Sequence, residues 1–382
     1  MFSLVYSLAF GVILLKLYGN VLICYHFFAH YREPVLRRLS SMLGPHNLIL
    51  AADLSDGRGG EIPNISEEVL REICVFHRLH NCYFRGILFQ AGLLKLIFRL
   101  PVSTPVIFLG DAKYITTWIA TVIHRIRGGK VLFWTHGTRR PLTGLRGMIL
   151  RLFYSLPSRL LLYGDRARSL LEDAGITTPS TVIFNSLDFD LQCKMTKDTG
   201  PVRRDRGKLL FCARLSRNKR VDVLIEAVHI LLEQGIDISL DIVGDGPCLN
   251  ELKELVSNYS IEEKVNFHGS IYEEDKLARI FLAASIFVVP EAAGLSVMHA
   301  MAYGLPVITS DDECIHMPES EAIVQGITGG FFVRANAKSL AQEIKYWLDK
   351  VGPDVSDACV EMIKNKYSSE NQGKLIIGAC ME

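Results

Sequence analysis

Short, uninterrupted runs of β-branched, aromatic and aliphatic residues recur along this chain at intervals that leave room for a helix, and no other feature constrains the fold as much. In the first half they are Val21–Tyr25, Asn47–Ala51, Val106–Leu109, Val131–Thr135, Leu160–Tyr163 and Thr181–Phe184. Continuous rather than alternating runs mark strands covered on both faces, as in the parallel sheets of α/β proteins. After Asp188 the apolar runs stop, and 198–208 is polar and broken by Gly200 and Pro201, which reads as a linker. The pattern resumes at Lys208–Cys212, Ile238–Val243, Val265–Phe267, Ile286–Val289 and Val307–Thr309, with helical stretches such as Val221–Gln234 between. The expected fold is α/β, two Rossmann-like doubly wound domains facing a central cleft, since ligands of open sheets bind beyond the carboxyl ends of the strands. A length of 382 residues, too great for one ordinary core, agrees with two domains. Their expected bounds are 1–190, with 1–20 as a hydrophobic extension, and 208–363, joined by a linker at 191–207 and followed by a terminal segment, 364–382.

The formal net charge of +1 argues against a dedicated nucleic-acid binder. That total conceals a polarity: residues 1–200 carry 23 Lys and Arg against 14 Asp and Glu, a net of +9, and the remainder carries 19 against 27, a net of −8. Much of the positive charge lies in Arg85–Arg99 and Arg139–Arg159, where basic residues stand beside Leu, Ile and Phe at helical spacing. Taken singly, each segment reads as an amphipathic helix packed on its sheet. The domain-wide excess suits contact with an anionic membrane surface. None of the nine cysteines forms a pair with a two-residue gap, which implies reduced thiols and a cytoplasmic location. Phe2–Leu15 is an apolar or small-residue run of 14, short for a bilayer span of about 20 and without the flanks of a signal peptide. A membrane-associated helix and a start placed too far upstream both remain open for it.

The stretch 290–308, PEAAGLSVMHAMAYGLPVI, carries the most chemistry. A strand ends at Pro290, Glu291 stands at its tip, and a turn around Gly294 leads into a helix. Such a turn lets backbone approach a ligand, and the N–H groups of Leu295, Ser296 and Val297 can receive a phosphate. After the first strand of the second domain comes Phe211–Lys219, FCARLSRNK. There Arg214 offers a bidentate grip on phosphate oxygens and Lys219 a compact charge. The turn Val243–Pro247, VGDGP, lacks a following Lys-Ser/Thr pair and is not a P-loop. In the first domain His136 ends a strand in WTHG, and Arg32 closes FAHYR after the first strand.

The 290–308 stretch resembles the signature of the family-4 retaining glycosyltransferases of GT-B fold (glycosyltransferase group 1), of the bacterial polysaccharide and O-antigen type. In that family a Glu, seven residues and a second Glu precede a Gly-x-Pro-Val strand. Glu291 matches the first acid, which contacts the donor sugar. His299 occupies the place of the second, which holds the ribose. The FCARLSRNK segment is similar to the family's Gly-Arg-Leu…Lys, so Arg214 and Lys219 would clamp the donor diphosphate together with Gly294, Leu295 and Ser296. Asn185–Asp188, NSLD, matches an interdomain motif, and Ser270 and Ile271 follow the strand whose loop lines the nucleobase. A His at position 136 reaches the donor sugar. Arg32 either meets an acceptor phosphate or is a helix-start surface residue.

The resemblance implies metal-independent transfer, without a cofactor, of a sugar from a nucleoside-diphosphate sugar to a saccharide or lipid-linked acceptor. The anomeric configuration is retained, at the inner face of the plasma membrane. It also implies that 364–382 crosses back to the first domain. A non-catalytic GT-B partner subunit, suggested by His299, and a GT-B sugar-nucleotide epimerase are the alternatives.

Overall fold

The computed structural model describes residues 20–55 and 63–382, so the apolar run Phe2–Leu15 lies outside the described residues. The chain divides into two compact units, one running through Ser186 and including Ser369–Glu382, the other Leu187–Ser368.

The first unit contains β1 (Val21–Cys24), β2 (Leu48–Ala52), β3 (Val75–Arg78), β4 (His80–Phe84), β5 (Ile87–Ala91), β6 (Val106–Leu109), β7 (Val131–Thr135), β8 (Arg159–Leu162) and β9 (Ser180–Val182). Seven of these form a sheet in the order β3-β2-β1-β6-β7-β8-β9, with every neighbouring pair parallel. Successive side chains alternate between two cores: Ile23, Leu50, Leu132 and Trp134 pack on one face, and Leu22, Val106, Phe108 and Phe133 on the other. Both faces are dry, which is why these strands read as unbroken apolar runs. The strands β4 and β5 form a separate antiparallel hairpin whose turn, Arg85 and Gly86, has φ of 48° and 81°. The segment Arg85–Arg99 is therefore not one amphipathic helix. It is β5, a left-handed Gly92 with φ of 92°, and the short helix Leu93–Arg99.

In the second unit β10 (Lys208–Cys212), β11 (Ser239–Val243), β12 (Val265–Gly269), β13 (Ile286–Val288), β14 (Val307–Ser310) and β15 (Gly329–Phe332) form a parallel sheet in the order β12-β11-β10-β13-β14-β15. In both sheets the chain starts at the centre, winds outward, then returns to the other side, so each has a topological switch point: β1/β6 in one, β10/β13 in the other.

The expected linker 191–207 is incorrect over most of its length. The helix Phe189–Thr199 occupies it, capped by Asp188, whose carboxylate accepts the Leu191 N–H at 3.1 Å, and packs on the helix Glu274–Ala283. A helix that buries only Phe189 and Gln192 resembles a linker in sequence because so few of its positions are apolar. The second unit thus begins at Leu187, not at 208, and extends through the helix Pro353–Lys366 to Ser368. The last helix, Ser369–Met381, packs on the helix Glu33–Leu43 and puts Ile376, Ile377, Ala379 and Cys380 into the core that holds Ile23 and Leu50. The Gln372 side chain accepts from Ser186 Oγ at 2.7 Å. All nine cysteines are free. No helix among the described residues is long and apolar enough to cross a membrane.

Candidate functional site

The second-unit switch point gathers the most chemistry. Lys219 ends a turn after β10, and its half-buried Nζ donates to the Ala292 carbonyl at 2.5 Å in the loop after β13. Partial burial lowers its ammonium below the ordinary value, and no carboxylate among the described residues stands within ion-pair distance. The loop itself is strained: Ala292 has φ of 52°, and Arg220, next to Lys219, has φ of 50°. Non-glycine residues in the left-handed region cost on the order of 1 kcal/mol each and persist where surrounding structure over-determines them.

That structure is His316. Its Nδ1 accepts the Ala293 N–H at 3.1 Å while Nε2 faces the Ser310 carbonyl at 2.9 Å, so the ring is neutral with its proton on Nε2. Met317 N–H closes the other side on the Ala293 carbonyl at 2.8 Å. The fixed loop aims the helix Leu295–Ala302. Two of the three N–H groups expected to be open at its start, those of Leu295 and Ser296, have no partner among the described residues. That of Val297 donates to the Gly294 carbonyl at 2.9 Å and is taken. Gly294 is extended, with φ of −155°, and a Cβ there would meet only Met317 at 3.5 Å. The turn's conformational demand therefore falls on Ala292, not on the glycine.

Glu291 is buried, and both its oxygens are held by Arg334, which follows β15, through Nε at 2.9 Å and Nη2 at 3.1 Å. Arg334 also reaches Asp312 Oδ2 at 2.8 Å. The acid expected to face donor sugar is thus the bidentate partner of an arginine that its sequence position gave no reason to select. Arg214 lies exposed beyond β10. Gly244 and Gly246 press on the same segment: a Cβ on Gly244 would lie 2.0 Å from the Ala213 carbonyl and one on Gly246 2.3 Å from that of Leu215. The VGDGP glycines therefore position the Arg214 segment.

His299 faces elsewhere. Its Nε2 lies 2.8 Å from Glu274 Oε1, which also accepts from Tyr303 OH at 2.6 Å, and its ring packs on Phe281 at 4.5 Å. Burial opposes ionisation of Glu274, but the bonds from His299 and Tyr303 outweigh it and hold the carboxyl below its ordinary value. An acid therefore does stand beside position 299, contributed by another helix. Ser270 is exposed and Ile271 half-buried in the loop after β12.

In the first unit a cavity of about 550 Å³ opens at the carboxyl ends of β1, β6 and β7, the switch point of that sheet. Arg32 and His136 both line it. The turn that presents His136 is fixed by Thr135 Oγ1, which donates to the Gly110 carbonyl at 2.8 Å and accepts the Gly137 N–H at 3.1 Å. The ring of His136 packs on Tyr163 at 4.5 Å, and this burial, with the fields of Arg32 and Arg139, lowers its imidazole so that it is neutral at pH 7.

Residues 196–369 match the family described as glycosyl transferases group 1. That region of the chain is similar to the group 1 glycosyl transferases. Among curated relatives, the chain is 30% identical over 143 residues to the amylovoran biosynthesis glycosyltransferase AmsK of Erwinia amylovora, covering 35% of the chain and 34% of AmsK. It is 34% identical over 105 residues to an alpha-monoglucosyldiacylglycerol synthase of Streptococcus pneumoniae, covering 26% and 23%. The matches span about a third or less of the length of those relatives. In fold the chain is similar to Anabaena Alr3699/HepE in complex with UDP, with a TM-score of 0.69 and 16% identity, covering 95% of this chain and 99% of the other. It is also similar to the lipopolysaccharide outer core galactosyltransferase WaaB, with a TM-score of 0.68 and 16% identity over 95% and 99%. These neighbours share its pair of Rossmann-like, parallel-sheet domains.

Proposed function

We propose that this protein transfers a sugar from a nucleoside-diphosphate sugar to a hydroxyl of a saccharide acceptor in cell-surface polysaccharide or lipopolysaccharide assembly, with retention of anomeric configuration. One observation carries the reading: the half-buried Lys219 ammonium, paired among the described residues only with a carbonyl, lies against the same loop whose helix start leaves the Leu295 and Ser296 N–H groups open. A partly desolvated cation beside free N–H donors is an arrangement that a diphosphate completes. The naming of relatives as polysaccharide glycosyltransferases and the UDP bound by a protein of the same fold support it.

In the reaction the bond from the anomeric carbon to the β-phosphate oxygen breaks as the bond to the acceptor oxygen forms on the same face. The acceptor's proton passes to the departing phosphate. Positive charge grows on the sugar and negative charge on the leaving diphosphate. Lys219, the open N–H groups and Arg214 stabilise the latter. Glu291, held in place by Arg334, orients the sugar and screens its charge. Residues Ser270, Ile271 and the Glu274–His299 pair lie on the elements that would meet the nucleoside.

The helix Gly144–Tyr154 supports a peripheral membrane location. Leu145, Met148, Ile149 and Leu152 form a stripe at i, i+3, i+4 and i+7 that is exposed at 73%, 63%, 46% and 58% instead of buried. Arg140, Arg146 and Arg151 flank it, which suits anionic lipid.

Calorimetry with UDP and GDP tests the central assignment. Lys219→Ala should weaken binding of the preferred nucleotide roughly tenfold or more, the worth of one charge-assisted contact. Unchanged affinity in a folded variant would overturn the donor-site reading.

A further inference from the structure

A further cavity, of about 420 Å³, opens at the end of the second sheet away from the donor site, where Arg206, Ser285 and Pro306 stand just before β10, β13 and β14. Arg204 and Arg206 both line it. The half-buried Arg204 donates to the carbonyls of Gly304 and Tyr303, each at 2.8 Å, just past the helix Leu295–Ala302. Arg206 donates to the carbonyls of Leu348 at 2.7 Å and Asp349 at 3.0 Å, in the last turn of the helix Ala337–Lys350. Neither has a carboxylate within ion-pair distance among the described residues, and no acid lines the cavity. Each arginine thus caps a helix end, and a helix C-terminus returns only roughly half a negative charge. Two full charges against two halves leave about one positive charge uncompensated. A guanidinium carries five N–H donors, and each of these spends two on carbonyls. Burial holds the Arg204 guanidinium below its ordinary pKa, as expected for a charge that has exchanged water for carbonyls alone. Ser356, near the start of the helix Pro353–Lys366, also lines the cavity, and its hydroxyl donates to no described residue. Its Oγ lies against Gly304, where a Cβ would collide with it, so it stands beside the carbonyls that Arg204 holds.

We propose that this cavity is a second ligand site of the protein, for a small phosphate monoester, with Arg206, the unspent donors of Arg204 and the Ser356 hydroxyl holding the phosphate. The planar guanidinium fork matches phosphate oxygens, and an excess of positive charge in a cavity of ligand size selects an anion. The volume exceeds what a bare phosphate fills. Pro306, Val351, Pro353 and Val355 make the rest of the lining apolar, which suits an ester that carries a short carbon body. Open sheets bind their substrates beyond the carboxyl ends of the strands. This cavity lies at the amino ends, so its occupant is not the nucleotide, and the inference stands independently of the glycosyl-transfer reading.

Calorimetry on the full chain with glycerol 3-phosphate, inorganic phosphate and glycerol tests it, with UDP or GDP present throughout to occupy the donor site. Glycerol 3-phosphate should bind saturably and glycerol not at all. Inorganic phosphate should bind several-fold more weakly, because it leaves the apolar wall uncovered; equal binding would overturn the ester. Arg204 caps a helix and its removal endangers the fold, so the variants are the exposed Arg206→Gln and, as a second reading, Ser356→Ala. The first should weaken glycerol 3-phosphate roughly tenfold and the other several-fold. Lys219→Ala, at the far end of the sheet, should leave that affinity unchanged. Binding lost in Lys219→Ala but kept in Arg206→Gln would put the anion in the donor site and overturn the proposal. No saturable binding, or binding indifferent to both Arg206→Gln and Ser356→Ala in folded variants, overturns it as well.

Discussion

Arg334→Ala strips both hydrogen bonds from a carboxylate that stays buried. Removing one member of a buried pair costs roughly 3–5 kcal/mol when the other is stranded. The side chain of Glu291 is 7% exposed and cannot turn to solvent freely, but that of Arg334 is 46% exposed, so water replaces part of what the guanidinium supplied. The discounted loss is about 2 kcal/mol. At about 2–4 °C per kcal/mol for a unit of this size, the melting temperature should fall by roughly 4–8 °C. The charge is the cause, so Glu291→Gln in the Arg334→Ala background should recover at least half of the loss, with a coupling of about 1 kcal/mol or more in the double-mutant cycle. Urea unfolding followed by circular dichroism measures both the loss and the coupling. A loss below about 0.5 kcal/mol, or a double variant no better than the sum of the singles, would refute the claim that Arg334 neutralises Glu291.

Burial lowers the pKa of His316 and of His124, whose Nε2 is bonded to the Thr104 carbonyl at 3.0 Å, so the folded protein binds fewer protons than the unfolded chain below about pH 6.5. Stability is then fully present above that value and lost as pH falls, and melting temperatures measured from pH 7.5 to 5.5 should decline; a flat or rising series would contradict the neutral-tautomer assignment. Gly244→Ala places a Cβ against the Ala213 carbonyl at a φ of 138°, where neither backbone can yield, and should cost roughly 2 kcal/mol or more, visible in melting temperature and soluble yield. The double substitution Leu145→Ser/Met148→Ser changes exposed positions and should leave the melting temperature unchanged while reducing sedimentation with anionic liposomes at low salt. Equal sedimentation would remove that helix as a membrane contact.

Apart from β3 and β15, most strands of the two large sheets were legible because their residues are buried on both faces, whereas β9 and β12, only partly buried, were legible through their β-branched and aromatic residues. The hairpin β4–β5 was not. Alternate exposure leaves His80 in β4 and Arg85 in the turn, so the hairpin carries no continuous apolar run of the kind that marked the other strands. Lys219 and Glu291 were found because a strand's carboxyl end marks each. Arg334 and His316 were missed because their importance lies in partners 43 and 23 residues away, and no spacing encodes that. A search for charged residues just past every legible strand would not have reached Arg334 either, because it stands two residues beyond β15, a strand the sequence pattern did not reveal. The glycine in the turn after β13 misled for a related reason: a glycine advertises a left-handed backbone, but the strain is carried by Ala292, which only the clamp by His316 makes tolerable.

The return of Ser369–Met381 to the first unit has a consequence for biosynthesis. A ribosome delivers β1 to β9 long before it delivers Ile376, Ile377 and Cys380, so the hydrophobic seat on the helix Glu33–Leu43 stands open while the whole of Leu187–Ser368 is being made. The inner unit, contiguous in the chain, is free to complete itself first. Folding of the outer one is then sealed by Ser369–Met381, so the first unit is finished only once the second has been translated in full.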